Sequence, residues 1–405
     1  MKSTLIFCVS NEKAYFFSRL SKGLKSREII FLTTNYSTYF FLKKNNHKVF
    51  LFQKFINNLI FKSDLDVEQT IYFDVKSNSL SKTSALKQYN FLLNGFTNFF
   101  KLNKVDEIIL WNGSSLQGHI ALSLSKKLKI KTYVFENANI EGKIFIDSDG
   151  VNAASSIANK NLIDFEGFDD EKLKFYLKNY KEKKELNHVV HQAKKPKIRF
   201  ATIINLFFVL FSKYKIYERG FNFSNIKKYF LKFYKFRFDD YNFKNKSYIF
   251  FPLQVSTDSQ IILNSDMSLI ESLKLAIIKA NEKKLDLVIK PHPAEVNIKI
   301  LKQIIELKHK NDNIYLVNYN TFLLIKYSEL IITINSTVGI EAMMYSKPIL
   351  VFGKSFYKRY VSEKELDMEK SEIYDRFLYN YLFNILKSAN YFNSNFKIDL
   401  NLDEI

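Results

Sequence analysis

The sequence predicts an α/β protein made of two Rossmann-like, parallel-sheet domains joined by a helical connector, and three observations lead there. Short β-rich apolar runs alternate with amphipathic segments from residue 4 to residue 135, and the same alternation resumes at residue 248. Between them, residues 159–246 carry helical periodicity. With 405 residues and 47% hydrophobic composition, the chain can bury the cores of two domains, which excludes a disordered or fibrous protein.

In the first segment the strand candidates are Leu5-Ile6-Phe7, Ile29-Ile30-Phe31-Leu32, Val49-Phe50-Leu51, Ile108-Ile109-Leu110 and Tyr133-Val134-Phe135. They place an N-terminal domain at residues 1–158. The second set is Tyr248-Ile249-Phe250-Phe251, Leu287-Val288-Ile289, Ile314-Tyr315-Leu316-Val317, Leu330-Ile331-Ile332 and Ile349-Leu350-Val351-Phe352, which places a second domain at residues 247–361. Residues 362–405 read as helices packing back on the two domains. No internal repeat or low-complexity run argues otherwise, so the expected architecture is GT-B-like: two Rossmann-like domains facing a cleft.

Cys8 is the single cysteine and sits in the apolar run Leu5 to Val9, so no intramolecular disulfide is available and a reducing compartment fits. The N-terminus lacks the long apolar region and cleavage site of a signal peptide, and the longest apolar stretch, Ala201 to Phe211, falls short of the roughly 20 residues that cross a bilayer. The expectation is a cytoplasmic protein without a transmembrane helix. A formal charge of +20 attracts polyanions, whether nucleic acid, anionic lipid or acidic sugar. Heavy use of Lys, Asn, Phe, Ile and Tyr also reads as codon bias in an AT-rich genome. The charge concentrates between Lys194 and Lys246, where fourteen Lys and Arg face three acidic residues among many Phe and Tyr. The six histidines are scattered, no carboxylate cluster has metal-ligand spacing, and Asp239-Asp240 reads as a solvated loop, so no metal is expected.

Three strand-to-helix loops of the second domain carry chemistry. In Pro252-Leu253-Gln254-Val255-Ser256-Thr257-Asp258-Ser259-Gln260 a buried strand gives way to a polar loop, and loops at the carboxyl ends of such strands line the ligand crevice. Asp258 there suits attack on an anomeric carbon through an oxocarbenium-like state, or caps the helix ahead. In Lys290-Pro291-His292-Pro293-Ala294-Glu295 two prolines hold His292 in an extended loop with a helix starting near Ala294, and His292 with Lys290 suits a phosphate leaving group. In Ser336-Thr337-Val338-Gly339-Ile340-Glu341-Ala342 free N–H groups, the helix dipole and two hydroxyls suit a phosphate, and Glu341, one turn in, can reach a ribose diol. An ordinary capped helix with a solvent-facing Glu is the alternative.

These motifs resemble the capsule polysaccharide synthesis family of the KpsS/LipB type, whose members look like retaining β-Kdo transferases using CMP-Kdo. The likeness lies in Pro-Leu-Gln-Val-x-x-Asp-Ser-Gln at 252–260, Lys-Pro-His-Pro-x-Glu at 290–295 and Ser-Thr-x-Gly-x-Glu-Ala at 336–342, in matching order and spacing. A fourth stretch, Val134-Phe135-Glu136 through Asp149-Gly150-Val151-Asn152 and Ser155-Ser156, is similar to the family's first-domain motif, so the resemblance spans roughly residues 105–355. The chain departs from the family after Glu136, where it has Asn137 and Ala138 and no nearby Arg.

The resemblance implies Asp258 as nucleophile and Glu136 as the group that positions or deprotonates the acceptor. It implies nucleotide-sugar contacts from Gln254, Ser259, Lys290, His292, Ser336, Thr337, Gly339 and Glu341, and acceptor-side roles for Asn112 and Asn152. It also implies transfer of Kdo onto a lyso-phosphatidylglycerol-type lipid to start the capsule linker, with CMP-Kdo as donor substrate and neither cofactor nor metal. The enzyme would then work peripherally at the inner face of the inner membrane, with a capsule exporter or second transferase as a further partner and no nucleic acid. Each Lys or Arg of the basic connector near that surface contributes about 1 kcal/mol, and its Phe and Tyr can dip into the interface. Two rival readings stand: a CMP-sialic acid-dependent sialyl- or polysialyltransferase, and a non-enzymatic polyanion-binding protein.

Overall fold

The computed structural model describes residues 1–57, 64–138, 140–186, 200–216, 237–389, 400 and 402. By internal packing the chain divides into two compact units. Unit one holds the described residues of Met1–Ser156, Lys195–Phe223 and Leu386–Ile405, and unit two those of Ile157–Lys194 and Ser224–Ile385.

Unit one contains β1 (Lys2–Phe7), β2 (Arg27–Thr33), β3 (Val49–Leu51), β4 (Glu107–Trp111), β5 (Lys131–Asn137) and β6 (Lys143–Asp147). Unit two contains β7 (Tyr248–Pro252), β8 (Asp286–Lys290), β9 (Ile314–Leu316), β10 (Leu330–Thr333) and β11 (Ile349–Val351); the chain then returns to unit one with β12 (Lys387–Ser388). All ten predicted runs are strands. Both faces of the first sheet are covered, and alternate residues feed opposite cores. Leu5, Phe7, Ile30, Leu32, Ile108 and Leu110 pack on one side, and Ile6, Phe31, Ile109, Tyr133 and Phe135 on the other.

The first sheet runs β12-β6-β5-β4-β1-β2-β3 and the second β11-β10-β7-β8-β9. The second is parallel throughout, whereas β6 and β12 are antiparallel additions at one edge of the first. Without those two, each sheet has its first strand in the middle, the second and third on one side and the fourth and fifth on the other. This is the doubly wound order, and its switch points fall between β1 and β4 and between β7 and β10.

Several expectations need correction. Residues 362–405, read as helices, contain the helix Met368–Tyr379 and a π-helical turn, Asn380–Ile385, and then β12, which pairs Lys387 with Ile144. Leu400 and Leu402 bury in the first unit, where the Tyr133 hydroxyl donates to the Leu402 carbonyl at 2.9 Å. The segment 159–246 is not one body. Its helix Asp170–Leu186 belongs to unit two, its helix Phe200–Phe211 to unit one, and residues 187–199 and 217–236 lie outside the described residues. Of the Asp239-Asp240 pair, Asp240 is exposed in a loop as expected, while Asp239 is half-buried, because Lys308 pairs with it at 2.5 Å and the Leu316 backbone N–H donates to it at 2.7 Å. Among the described residues no helix is long and apolar enough to cross a membrane.

Candidate active site

The switch point of unit two gathers the three predicted loops. Those after β7 and β10 flank it, and the one after β8 lies beside them. Two clasps set their spacing. The Gln254 side-chain N–H donates to the Asn335 Oδ1 at 3.1 Å while Gln254 Oε1 accepts the Asn335 backbone N–H at 3.2 Å, joining the loops after β7 and β10. Asn335 also donates to the Gln260 carbonyl at 2.7 Å. Glu295 accepts the Ser256 backbone N–H at 2.6 Å, joining the loops after β7 and β8.

Glu295 also explains why the helix after β8 starts later than predicted. Its other oxygen accepts the N–H groups of Val296 and Asn297, each at 2.8 Å, so the chain stays in a loop until Asn297 caps the helix Ile298–His309. His292 is thereby held half-buried, and its Nδ1 accepts the Ala294 backbone N–H at 3.1 Å. That bond fixes the neutral tautomer with the proton on Nε2, a donor suited to an anion. Burial lowers the His292 pKa below the usual imidazole range, while Asp258 and Glu295 pull it up and Lys290 pushes it down.

Asp258 is the N-cap of the helix Ser259–Asn264, with Oδ1 accepting the Gln260 N–H at 2.9 Å. The capping alternative is therefore real, yet it uses one oxygen. Among the described residues no partner engages Oδ2. Ser259 is buried in the first turn.

The loop after β10 is more self-satisfied than predicted. The N–H of Ser336 donates to the Thr333 hydroxyl, Val338 N–H to the Ser336 hydroxyl at 3.2 Å, Gly339 N–H to the Ser336 carbonyl and Ile340 N–H to the Thr337 carbonyl. An anion here meets hydroxyls rather than a row of free N–H groups, because the short helix Val338–Met344 is closed by its own turn. Tyr357, fully buried, donates its hydroxyl to the Ser336 carbonyl and holds that loop. A Cβ on Gly339 would lie 2.5 Å from the Tyr357 oxygen, so this glycine makes room for the tyrosine rather than for a ligand.

Lys290 is buried and Glu341 half-buried, and each shifts the other's titration. Loss of hydration among the surrounding protein atoms raises the Glu341 pKa to about 7 against the pull of Lys184 and Lys290. Burial lowers Lys290 to about 8, with Glu341 opposing. The Lys290 ammonium donates to the Tyr319 carbonyl at 2.6 Å and to the Thr321 hydroxyl at 3.0 Å, so two of its three N–H groups brace the fold.

In unit one the structure brings Asn112 and Glu136 together at the ends of β4 and β5. The Asn112 side-chain N–H donates to Glu136 Oε2, and Glu136 Oε1 accepts the Asn137 N–H at 2.8 Å. Asn112 takes a left-handed φ of 65° and its Oδ1 accepts the Ser114 N–H at 3.1 Å. Asn152 belongs instead to a turn organised by Asp147, whose carboxylate accepts the N–H groups of Asp149, Gly150 and Ser156 and the Ser156 hydroxyl.

Lys13 is the residue sequence reasoning missed here. It follows β1 across the switch point, and its ammonium sits 3.4 Å from the centroid of the Trp111 ring. Burial lowers its pKa to about 8, with Glu136 and then Glu12 pulling it up. Its place in the first turn of the helix after β1 was the available signal. Among the described residues no three His, Cys, Asp or Glu side chains gather as a metal site.

The family described as capsule polysaccharide biosynthesis protein matches residues 106–396, well over half of the chain. Protein FixF of Sinorhizobium fredii is 31% identical over 115 residues, covering 27% of this chain and 27% of that relative's own length. Similar solved structures include the β-Kdo 2,7 transferase of Thermosulfurimonas dismutans KpsC, at 14% identity and a TM-score of 0.43, covering 97% of this chain and 95% of that one. The β-Kdo 2,4 transferase of the same KpsC covers 68% of this chain and 79% of its own at 15% identity and a TM-score of 0.42. A UDP-GlcNAc 2-epimerase from Neisseria meningitidis covers 93% and 94% at 14% identity and a TM-score of 0.32. At these scores the structural likenesses say nothing of substrate.

Proposed function

The chain belongs to the capsule polysaccharide biosynthesis protein family, and on that premise we propose that it is a glycosyltransferase moving Kdo from CMP-Kdo onto a lipid acceptor of the lyso-phosphatidylglycerol type, with retention. The observation that carries the reading is the pairing at one switch point of a carboxylate with an uncommitted oxygen, Asp258, and an imidazole whose tautomer is fixed, His292.

In this reading His292 Nε2–H and the hydroxyls of Ser336 and Thr337 hold the CMP phosphate, and Glu341 meets the ribose diol. Asp258 Oδ2 forms a bond to the anomeric carbon as the bond to the phosphate oxygen breaks, and CMP leaves with that electron pair. The acceptor hydroxyl then attacks the same carbon, its proton passing to a general base, the role that the family resemblance implies for Glu136, and the aspartyl ester breaks to regenerate Asp258. Two displacements restore the starting configuration. A lipid acceptor puts the work at the inner face of an anionic membrane.

The test is incubation with CMP-Kdo or CMP-sialic acid and a short-chain phosphatidylglycerol acceptor, followed by mass spectrometry of the lipid and of the peptide containing Asp258. Addition of one Kdo, with a Kdo-sized adduct on Asp258 when the acceptor is omitted, is expected. Product from CMP-sialic acid alone would replace the sugar, and turnover with no adduct together with inverted product would remove Asp258 as nucleophile.

A further inference from the structure

The helix Phe200–Phe211 presents an apolar face that the described residues of unit one leave exposed. Its inner side is seated on the helix Tyr36–Lys44: Asn205 Oδ1 accepts the Tyr36 backbone N–H at 2.9 Å, Phe208 stacks on Tyr36 and touches Phe40, and Val209 is buried. On the outer side Ile203, Phe207, Leu210 and Phe211 are all more than half exposed, Phe211 at 78%. At 3.6 residues per turn these four positions fall within one sector about 100° wide. A contiguous apolar stripe of this kind marks an interaction surface.

Charge says what the surface meets. No Asp or Glu occurs in residues 29–63 or 186–217, the two stretches that contain these helices. Lys43 and Lys44 on one helix, and Lys213 and Lys215 just after the other, are exposed. In sequence, Lys194, Lys195, Lys197 and Arg199 immediately precede the apolar helix. A second copy of the chain would bring two acid-free cationic strips together. Nucleic acid would match the charge but offers nothing to the aliphatic Ile203 and Leu210. An anionic lipid monolayer satisfies both, with acyl chains for the stripe and headgroups for the lysines.

We propose that the helix Phe200–Phe211 inserts into the headgroup and upper acyl region of an anionic monolayer and holds the protein there. At 1.5 Å per residue its length is about 18 Å, short of the roughly 30 Å hydrocarbon core, so it lies in the surface rather than across it. The inference deepens the proposed function by giving its lipid-facing step a named element, but its evidence comes from the exposed stripe and the missing carboxylates.

The experiment is sedimentation of the full chain with phosphatidylcholine vesicles, with and without phosphatidylglycerol, in the absence of any sugar donor. Binding is expected with phosphatidylglycerol, about tenfold weaker without it, and weakened by about 0.5 M salt. The double variant Phe207→Ser with Phe211→Ser should keep the wild-type melting temperature, because both side chains face solvent, and lose at least about tenfold in vesicle affinity. Lys213→Glu with Lys215→Glu should abolish the preference for phosphatidylglycerol. Unchanged vesicle binding in the double serine variant overturns the proposal, as does failure of the wild type to bind vesicles. So does a wild-type dimer by light scattering that the double variant dissolves, which would assign the stripe to a second copy. Vesicle binding without consumption of CMP-Kdo would sink the transferase reading and leave this one standing; turnover on a water-soluble acceptor without vesicle binding would do the reverse.

Discussion

Glu295 accepts the Ser256 backbone N–H at 2.6 Å and so fastens the loop that carries His292 to the loop that carries Asp258. Its second oxygen takes the N–H groups of Val296 and Asn297, which delays the next helix and leaves His292 on a short rigid bridge. The separation of the two catalytic candidates is therefore set by a side chain that need not touch substrate.

Glu295→Ala should act through that bridge. Three accepted bonds disappear, at roughly 1 kcal/mol each before water replaces them, so a loss of about 1–2 kcal/mol in stability is expected. KM for the donor should rise about tenfold with a smaller change in kcat. Steady-state kinetics beside urea unfolding measures both, and a fall in kcat alone would assign Glu295 to the chemical step.

Asp258→Asn separates capping from chemistry. Asparagine caps a helix as well as aspartate does, so the Gln260 bond and the melting temperature should survive, while transfer falls at least about 1000-fold. Asp258→Ala should lose the same activity and about 1 kcal/mol of stability as well. An active Asp258→Asn protein would show that the residue only caps.

Glu341 gives stability a pH dependence. Its folded pKa of about 7 stands above its ordinary 4.5, so the folded chain holds the proton more tightly. The linked stability is whole below about pH 4.5 and is lost as pH rises through about 7. Glu341→Gln should therefore match the wild type near pH 5 and exceed it near pH 8 by on the order of 2 kcal/mol, read from urea midpoints at the two pH values. A difference that stays flat with pH would mean that Glu341 ionises as it does in water.

Glu136→Gln should slow transfer to the acceptor about 100-fold while leaving release of CMP to water unchanged, because the donor half-reaction does not use it. Lys13, lowered to about 8, loses its charge beside Glu136 as pH rises through that value. The wild-type transfer rate should fall along that limb, and Lys13→Met should flatten it. Equal loss of both half-reactions in Glu136→Gln would place the residue with the donor.

The strand positions were legible because both sheets are buried on two faces, which leaves near-continuous apolar runs such as Ile108-Ile109-Leu110 and Leu330-Ile331-Ile332. Lys143–Asp147 was missed because it pairs antiparallel with β5, the strand just before it, and so falls outside the β-α-β alternation, and Lys387–Ser388 because it has no apolar residue at all. Its pairing is decided by β6, not by its own composition. At the site, residue type and loop position pointed to Asp258 and His292, but the direction of a side chain cannot be read from a motif. Gln254 turned out to clasp Asn335, Lys290 to brace Tyr319 and Thr321, and Gly339 to admit Tyr357. The helix start near Ala294 failed because a local carboxylate competed for the N–H groups that would have begun it.

The return of β12 to the first sheet sets an order of events on the ribosome. Strands β1 to β6 emerge early, yet the outer edge of β6 stays bare until all of unit two has been translated and residues 387 and 388 arrive to pair with 143 and 144. An open strand edge beside apolar cores invites pairing with another nascent chain. The half of the molecule that is synthesised first is thus the half that is finished last, and termination before residue 387 would leave it an unsealed template.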